Sequence, residues 1–368
     1  MSDPLPILKR EVKTEAEADA LIRAAWTANK ADGTPKIGVL DSVPILTPAY
    51  ERPDHLREMA AIFRQAELAA HGEGPPILAL FSSGPQIGKT ETGQHAYARW
   101  LARHPEDFLA FLAYGQDLAS EKSKGVRIKA RAAGVEISKE TSAADLWRTT
   151  AGGGLLARGL EAGITGQSGL AMAWVDDPYK GRSQVESAKE RATILAGIKS
   201  NVFSRLGPRT SFLLSHTRWH TDDAIGVIEK DPKLNHRFTI VNIACCEEDG
   251  TPIITLGGRD RRFYEQQRAL SEHDWWSLYM GRPRPREGKL FKGAHTYAEA
   301  PGEMRLAIGL DFAYSKRTSA DWSCAVVMGR AGNRRYILKV VRKRAGPFLV
   351  GGRQRLLVGV RRHLPLTA

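Results

Sequence analysis

Five short apolar runs set the strongest limit on how this chain can fold. They are ILALF (77–81), FLAFLAY (108–114), LAMAWV (170–175), SFLLS (211–215) and FTIVNIA (238–244). Segments of helical character lie between most of them. Continuous apolar strands separated by helices predict an α/β domain whose mainly parallel sheet is covered on both faces. Ahead of the first run, EAEADALIRAAWTANKADG has helical spacing, and DHLREMAAIFRQAELAAHG reads as an amphipathic helix ending at glycine.

At GRPRPREGKLFKGAHTYAEAPGEM (281–304) the composition turns to Pro, Gly and charge, as a linker would. Beyond it RLAIGLDFA, DWSCAVVMG and RRYILKVVRK read as three strands joined by short turns, the start of an antiparallel meander. A length of 368 residues also favours two domains. The expected division is a helical lead over 1–72, a central domain over 73–290, a linker over 291–304, a second domain over 305–344 and a basic tail over 345–368.

Charge supports this division more than it supports a function. The net charge is +13, but Trp322 to Ala368 holds eleven basic residues and no Asp or Glu, so residues 1–321 carry only +2. Bulk charge is therefore weak evidence for nucleic-acid binding. The three cysteines, Cys245, Cys246 and Cys324, form no C-x-x-C pair, which argues against a disulfide framework or zinc ribbon and for a reducing cytoplasm. No apolar stretch approaches membrane-spanning length, and MSDPLPILKREVK lacks a signal-peptide core.

The run at 77–81 is followed by SSGPQIGKTE (82–91) and then by the helical TETGQHAYARWL. Strand, tight loop and helix N-terminus in that order form a cradle for phosphate. Gly88 allows close backbone approach, Lys89 reaches the β- and γ-phosphates, and the Thr90 hydroxyl binds Mg²⁺. The usual pattern is G-x-x-x-x-G-K-[ST]. Here Ser83 holds the first glycine position and Gly84 comes one residue late. The plainer reading is a polar β–α turn.

A nucleotide hydrolase must also hold its metal and position water. LAMAWVDDP supplies a strand that delivers two carboxylates at its end. Asp176 is the expected Mg²⁺ ligand, through water, and Asp177 orients or deprotonates the attacking water. The plainer reading is a strand-end turn with a helix cap. The two motifs together favour an ATPase.

Several segments, in order, resemble the large terminase subunits of tailed bacteriophages. They are YGQDLASEKSKGVRIK (114–129), ITGQSGLAMAWVDDPYKGRSQVES (164–187), LLSHTRWHTDDAIGVI (213–228) and DWWSLYMGRPRPREGKLF (274–291). The resemblance implies a P-loop ATPase domain of the additional-strand class followed by a nuclease domain with a ribonuclease H-like fold. It implies a motor that packages double-stranded DNA into a procapsid as a homo-oligomeric ring, in the host cytoplasm. The partners so implied are DNA, a small terminase subunit and a portal protein, with no membrane.

Carried over residue by residue, Lys89 and Thr90 hold nucleotide and metal, and Asp176 and Asp177 form the acidic pair; many members have Glu where Asp177 stands. The segment 213–228 corresponds to a coupling motif, with Ser215 or Thr217 as γ-phosphate sensor. His216, His220, Asp222 and Asp223 invite a zinc reading through H-x-x-x-H, but no further ligand pair accompanies them. Arg127 and Arg131 are candidates for an arginine acting in a neighbouring subunit, and equally for solvated helix residues.

In the second domain the resemblance makes Asp311 the first carboxylate of a two-metal nuclease using Mg²⁺ or Mn²⁺, with Asp321 in support. At ordinary composition the 47 residues from Trp322 onward would hold roughly five acids, and they hold none. The likeness reaches VVRKRAGP (340–347), and FLVGGRQRLLVGVRRHLPLTA has the bias of GC-rich DNA read out of frame. The expectation is an incomplete nuclease domain with little or no cleavage activity. A natural basic DNA-binding tail is the alternative. Other readings of the whole are a non-catalytic prophage remnant or assembly subunit, or a helicase-like ATPase, for which the residues after 245 are too few.

Overall fold

The computed structural model describes residues 37–164, 166–284, 296–311 and 323–343. The chain falls into two compact units, Met1–Arg286 and Glu287–Ala368. The expected helix at 15–33 and the tail from 344 onward lie outside the described residues.

The first unit is built on an eight-stranded sheet. Its strands are β1 (Leu78–Ser83), β2 (Phe108–Ala113), β3 (Ile137–Ser142), β4 (Leu146–Thr149), β5 (Gly154–Gly159), β6 (Leu170–Asp176), β7 (Ser211–His216) and β8 (Thr239–Ile243). The order is β3-β4-β5-β2-β6-β7-β1-β8. All pairings from β5 to β8 are parallel, while β3, β4 and β5 pair antiparallel at one edge. The mixed α/β fold is as expected, and β7 stands between β1 and β6 as the additional-strand arrangement requires.

All five apolar runs are strands of this sheet. Alternating side chains feed two cores: Ala79, Phe81, Leu109, Phe111, Trp174 and Leu213 on one face, Leu80, Ala110, Leu112, Val175, Phe212 and Leu214 on the other. FTIVNIA departs from the expectation of full cover. It forms edge strand β8, and Ile240 is 39% exposed.

The helices that matter for the site are α1 (Arg57–Ala70), α2 (Lys89–Arg103), α3 (Gln116–Ala132), α4 (Ala188–Gly197), α5 (Ala224–Lys230) and α6 (Arg261–Leu270). α1, α2 and α3 contribute to the first core through Met59, Phe63, Tyr97, Trp100 and Val126. α4 and α5 contribute Ile194, Ile225 and Ile228 to the second. α1 ends as its sequence predicts, with Gly72 at φ 83° just past the last turn.

A buried ionic cluster ties α1 to α2. Glu67, 2% exposed, accepts from Arg99 Nη1 at 2.7 Å and Arg103 Nη1 at 2.5 Å. Arg99 Nε also reaches the carbonyl of Ile37 at 2.7 Å. Burial alone would raise the Glu67 carboxyl, but His104, Arg99 and Arg103 together hold it down at about 2.

The second unit contains a three-stranded antiparallel sheet, β9 (Arg305–Asp311), β10 (Ser323–Ala331) and β11 (Arg334–Lys343), in the order β11-β10-β9. This is the expected meander. Every residue of β9 is exposed.

Candidate nucleotide site at the carboxyl edge of the sheet

Parallel strands end together, so the loops after them share one edge of the sheet, the usual place for ligands in this fold class. β1 leads into the loop Gly84–Gly88, and α2 starts at Lys89. The loop turns by two left-handed residues, Gln86 at φ 55° and Gly88 at φ 89°. Gly88 needs that freedom for conformation. Gly84 needs its lack of side chain for space, since a Cβ there would lie 2.2 Å from Cys245 Sγ.

The strand order brings the three motif segments into contact. Thr90 Oγ1 donates to Asp176 Oδ2 at 2.6 Å, and Ser215 Oγ donates to Asp176 Oδ1 at 2.6 Å. Lys89 Nζ donates to Thr217 Oγ1 at 3.0 Å and lies 3.9 Å from Asp177 Oδ1. Lys89 is 6% exposed and Asp176 3%. Burial first, and then the neighbouring Asp177, push the Asp176 carboxyl up to about 6, against the pull of Lys89, Ser215 and Thr90. Asp177 sits at φ 43°, a conformation that Asp and Asn tolerate better than other side chains. Its N–H donates to the Ser215 carbonyl at 2.9 Å.

These groups are suited to a nucleotide triphosphate with a hard cation. The Ser83 hydroxyl, in the first position of the phosphate motif, is buried with no hydrogen-bond partner among the described residues. A buried lysine, Lys89, opens the helix that follows the loop, and hydroxyl and carboxylate oxygens converge from Thr90 and Asp176, the donor type Mg²⁺ prefers. Residues that the sequence did not single out hold the loop from outside. Arg259 donates to the carbonyls of Pro85 and Gln86 at 3.1 and 3.0 Å, and His55 Nε2 donates to that of Ile87 at 2.8 Å. With three consecutive carbonyls engaged, the loop's remaining capacity is in its N–H groups, which is what an anion requires. Neither residue lies in a motif, so nothing local in the sequence marks them.

Of the two sensor candidates, Thr217 faces Lys89 while Ser215, fully buried, faces Asp176. His216 and His220 do not share a helix, because α5 begins only at Ala224. The His216 Nδ1 bonds the Thr217 carbonyl, and His220 Nδ1 accepts from the Asp222 N–H at 2.9 Å. Asp223 caps α5 through the Gly226 N–H at 2.9 Å and holds Arg218 Nε at 2.9 and 3.0 Å. These four residues therefore form no ligand set. Among the described residues the one grouping of metal-ligand type is His71, His104 and Glu106, and there His71 is bonded to Asp107 at 2.9 Å. Arg127 donates to the carbonyls of Ser142 and Ala143, and Arg131 lies near the end of the same helix, exposed.

In the second unit Asp311 ends β9, opposite Cys324 of β10. Asp321 lies outside the described residues. Among those described, no grouping of metal-ligand type includes Asp311. No helix among them is long and apolar enough to cross a membrane.

The family model for the N-terminal part of the terminase large subunit, T4likevirus-type, matches residues 80–296. No curated protein matches the chain. Among solved structures, the large terminase of bacteriophage HK97 is 14% identical with a TM-score of 0.46, covering 80% of this chain and 65% of its own. The large terminase of a thermophilic bacteriophage, in complex with ADP, is 10% identical with a TM-score of 0.41, covering 82% and 74%. This chain thus spans 65% of the HK97 protein's length. The family match covers both halves of the site, from β1 and its loop to the segment beyond α6, and more than half of the chain: the chain belongs to the terminase large subunit family.

Proposed function

We propose that this chain is the ATP-hydrolysing motor that packages double-stranded viral DNA into a procapsid, working in the host cytoplasm with a small terminase subunit and a portal protein. The observation that carries the reading is the contact set Lys89–Thr217, Thr90–Asp176 and Ser215–Asp176, which joins phosphate loop, acidic strand end and coupling segment. A polar turn in an unrelated α/β protein has no reason to bury a lysine and a carboxylate together against the cost of desolvation.

In the proposed mechanism, the loop 83–90 binds the triphosphate, with Ser83 and the loop N–H groups as donors and Lys89 against the β- and γ-oxygens. Thr90 and Asp176 would hold Mg²⁺, which neutralises charge on the transferring phosphoryl group. Asp177 orients the attacking water and accepts its proton as oxygen adds to the γ-phosphorus and ADP leaves. Lys89 Nζ has three hydrogens, so it can keep its bond to Thr217 while it donates to phosphate oxygens. That shared lysine makes Thr217 the residue that registers a shift of Lys89 toward the γ-phosphate. Arg127 and Arg131 remain candidates for an arginine supplied to a neighbouring subunit.

For the second unit we infer part of a ribonuclease H-like domain in which Asp311 and Asp321 are the candidate metal ligands. Two-metal cleavage needs more carboxylates than that, so these two residues by themselves are not expected to support DNA cutting with Mg²⁺ or Mn²⁺. ATP hydrolysis with and without DNA tests the main reading. Lys89→Ala should abolish turnover, and hydrolysis by that variant at the wild-type rate would remove the loop from the mechanism.

A further inference from the structure

We propose that Trp174 is a positioning residue for the metal-binding carboxylate, acting through the hydroxyl of Ser215; this rests on the ATPase reading above. Trp174 is fully buried in β6, two residues before Asp176. Its indole Nε1 donates to Ser215 Oγ at 2.8 Å, and Ser215 donates in turn to Asp176 Oδ1 at 2.6 Å.

The direction of this chain is fixed by chemistry. An indole N–H can only donate, and a hydroxyl has one hydrogen. With the indole hydrogen filling one lone pair of Ser215, the hydrogen of Ser215 is committed to Asp176. A serine without that neighbour could turn its hydrogen toward other acceptors. The ring itself is held by three aromatic neighbours in edge contact, Phe63 at 5.4 Å, Tyr97 at 5.6 Å and Phe111 at 4.9 Å between centroids. On a fourth side it lies against Gly93 of α2, where a Cβ would come within 2.0 Å of it. The hydrophobic core thus sets the rotor of a hydroxyl at the edge of the site. One oxygen of Asp176 is tied by this route, and Oδ2, which meets Thr90, is the one left for the cation.

Trp174→Phe removes the indole N–H but also leaves space where the outer ring meets Gly93. Ser215→Ala leaves the ring in place and breaks the same relay one bond further on. Outer groups that orient a metal ligand commonly contribute tenfold or more to metal affinity. Mn²⁺ binding to the protein–ADP complex, followed by electron paramagnetic resonance, should weaken about tenfold in Trp174→Phe. Ser215→Ala should weaken it equally, and the double variant should be no worse than either. ADP affinity in EDTA should stay close to wild type in Trp174→Phe, and its melting temperature should fall through the lost packing. Ser215→Thr, which keeps the hydroxyl, should retain most of the affinity.

A second readout does not depend on nucleotide. The indole ¹⁵N–¹H resonance that disappears in Trp174→Phe should move in both Ser215→Ala and Asp176→Asn. Wild-type Mn²⁺ affinity in Trp174→Phe, multiplying effects in the double variant, or an indole resonance indifferent to Ser215 would each overturn the proposal. A wild-type protein that binds no ADP, with the indole resonance still coupled to Ser215 and Asp176, would overturn the ATPase reading and leave the relay standing.

Discussion

Replacing Gly93 by alanine should destabilise the protein, although helix propensity alone predicts the opposite. Gly93 lies inside α2, where alanine is favoured over glycine by about 1 kcal/mol. The added Cβ would lie 2.0, 2.5 and 2.7 Å from Cη2, Cζ3 and Cζ2 of Trp174. Carbon atoms in contact sit about 3.5–4.0 Å apart, so ring and helix must separate by roughly 1.5 Å. The ring cannot retreat easily, because Phe63, Tyr97 and Phe111 surround it. Overpacking of this kind costs about 1–3 kcal/mol, and a caged ring belongs at the upper end. The net expectation is a loss of about 2 kcal/mol, read as a lower midpoint in urea denaturation with an unchanged slope. Gly125→Ala in α3 is the control. Its Cβ would meet the tip of Gln94, 2.5 Å from Oε1. Moving that tip gives up the bond from Lys129 at 2.9 Å, about 1 kcal/mol, which the similar gain in helix propensity offsets, so stability should stay near wild type. A Gly93→Ala protein as stable as wild type, or no weaker than Gly125→Ala, would refute the packing argument.

Two further expectations concern acids. Asp177→Asn should keep its stability, because Asn tolerates the left-handed backbone at φ 43°, whereas Asp177→Ala should lose about 1–2 kcal/mol. Both should lower ATP turnover about 10²–10⁴-fold; turnover that tracked stability instead would count against a water-orienting role. Glu67 titrates at about 2 in the fold against 4.5 for the ordinary group. Its contribution, on the order of 3 kcal/mol, is therefore fully present above pH 4.5 and lost as the pH falls toward 2. Unfolding free energies from pH 6 down to 2 should fall less steeply in Glu67→Gln, and parallel curves for the two proteins would contradict this.

The chain's apolar runs revealed the parallel sheet because a strand buried on both faces cannot hide its composition. β6 is the clearest case, with all seven residues buried. The edge was harder to read. β3, ISKETS, is mostly polar, and β5 follows Gly152 and Gly153 and itself opens on Gly154, so neither shows the continuous run of an interior strand. Lys89, Thr90, Asp176 and Asp177 were legible because the roles proposed for them demand particular residue types at the ends of neighbouring elements. Arg259 was not, since it reaches the loop across 173 positions of sequence through backbone carbonyls, which carry no residue identity. Trp174 was visible only as a strand residue. Nothing in LAMAWV tells which aromatic nitrogen meets which hydroxyl.

The place of β7 between β1 and β6 has a mechanical meaning. The strands that lead to Lys89 and to the acidic pair, β1 and β6, run two strand spacings apart, roughly 9–10 Å, with β7 between them. Its end touches both sides, Thr217 against the lysine and Ser215 against Asp176. A shift of either side by a fraction of an ångström must therefore be taken up by β7. The segment beyond β7 is stiff: Arg218 is clamped by Asp223, which in turn caps α5. Strand, clamp and helix would travel together like a push rod. A displacement of β7 would then reach α5 through the short connection 217–223, braced by the Arg218–Asp223 pair.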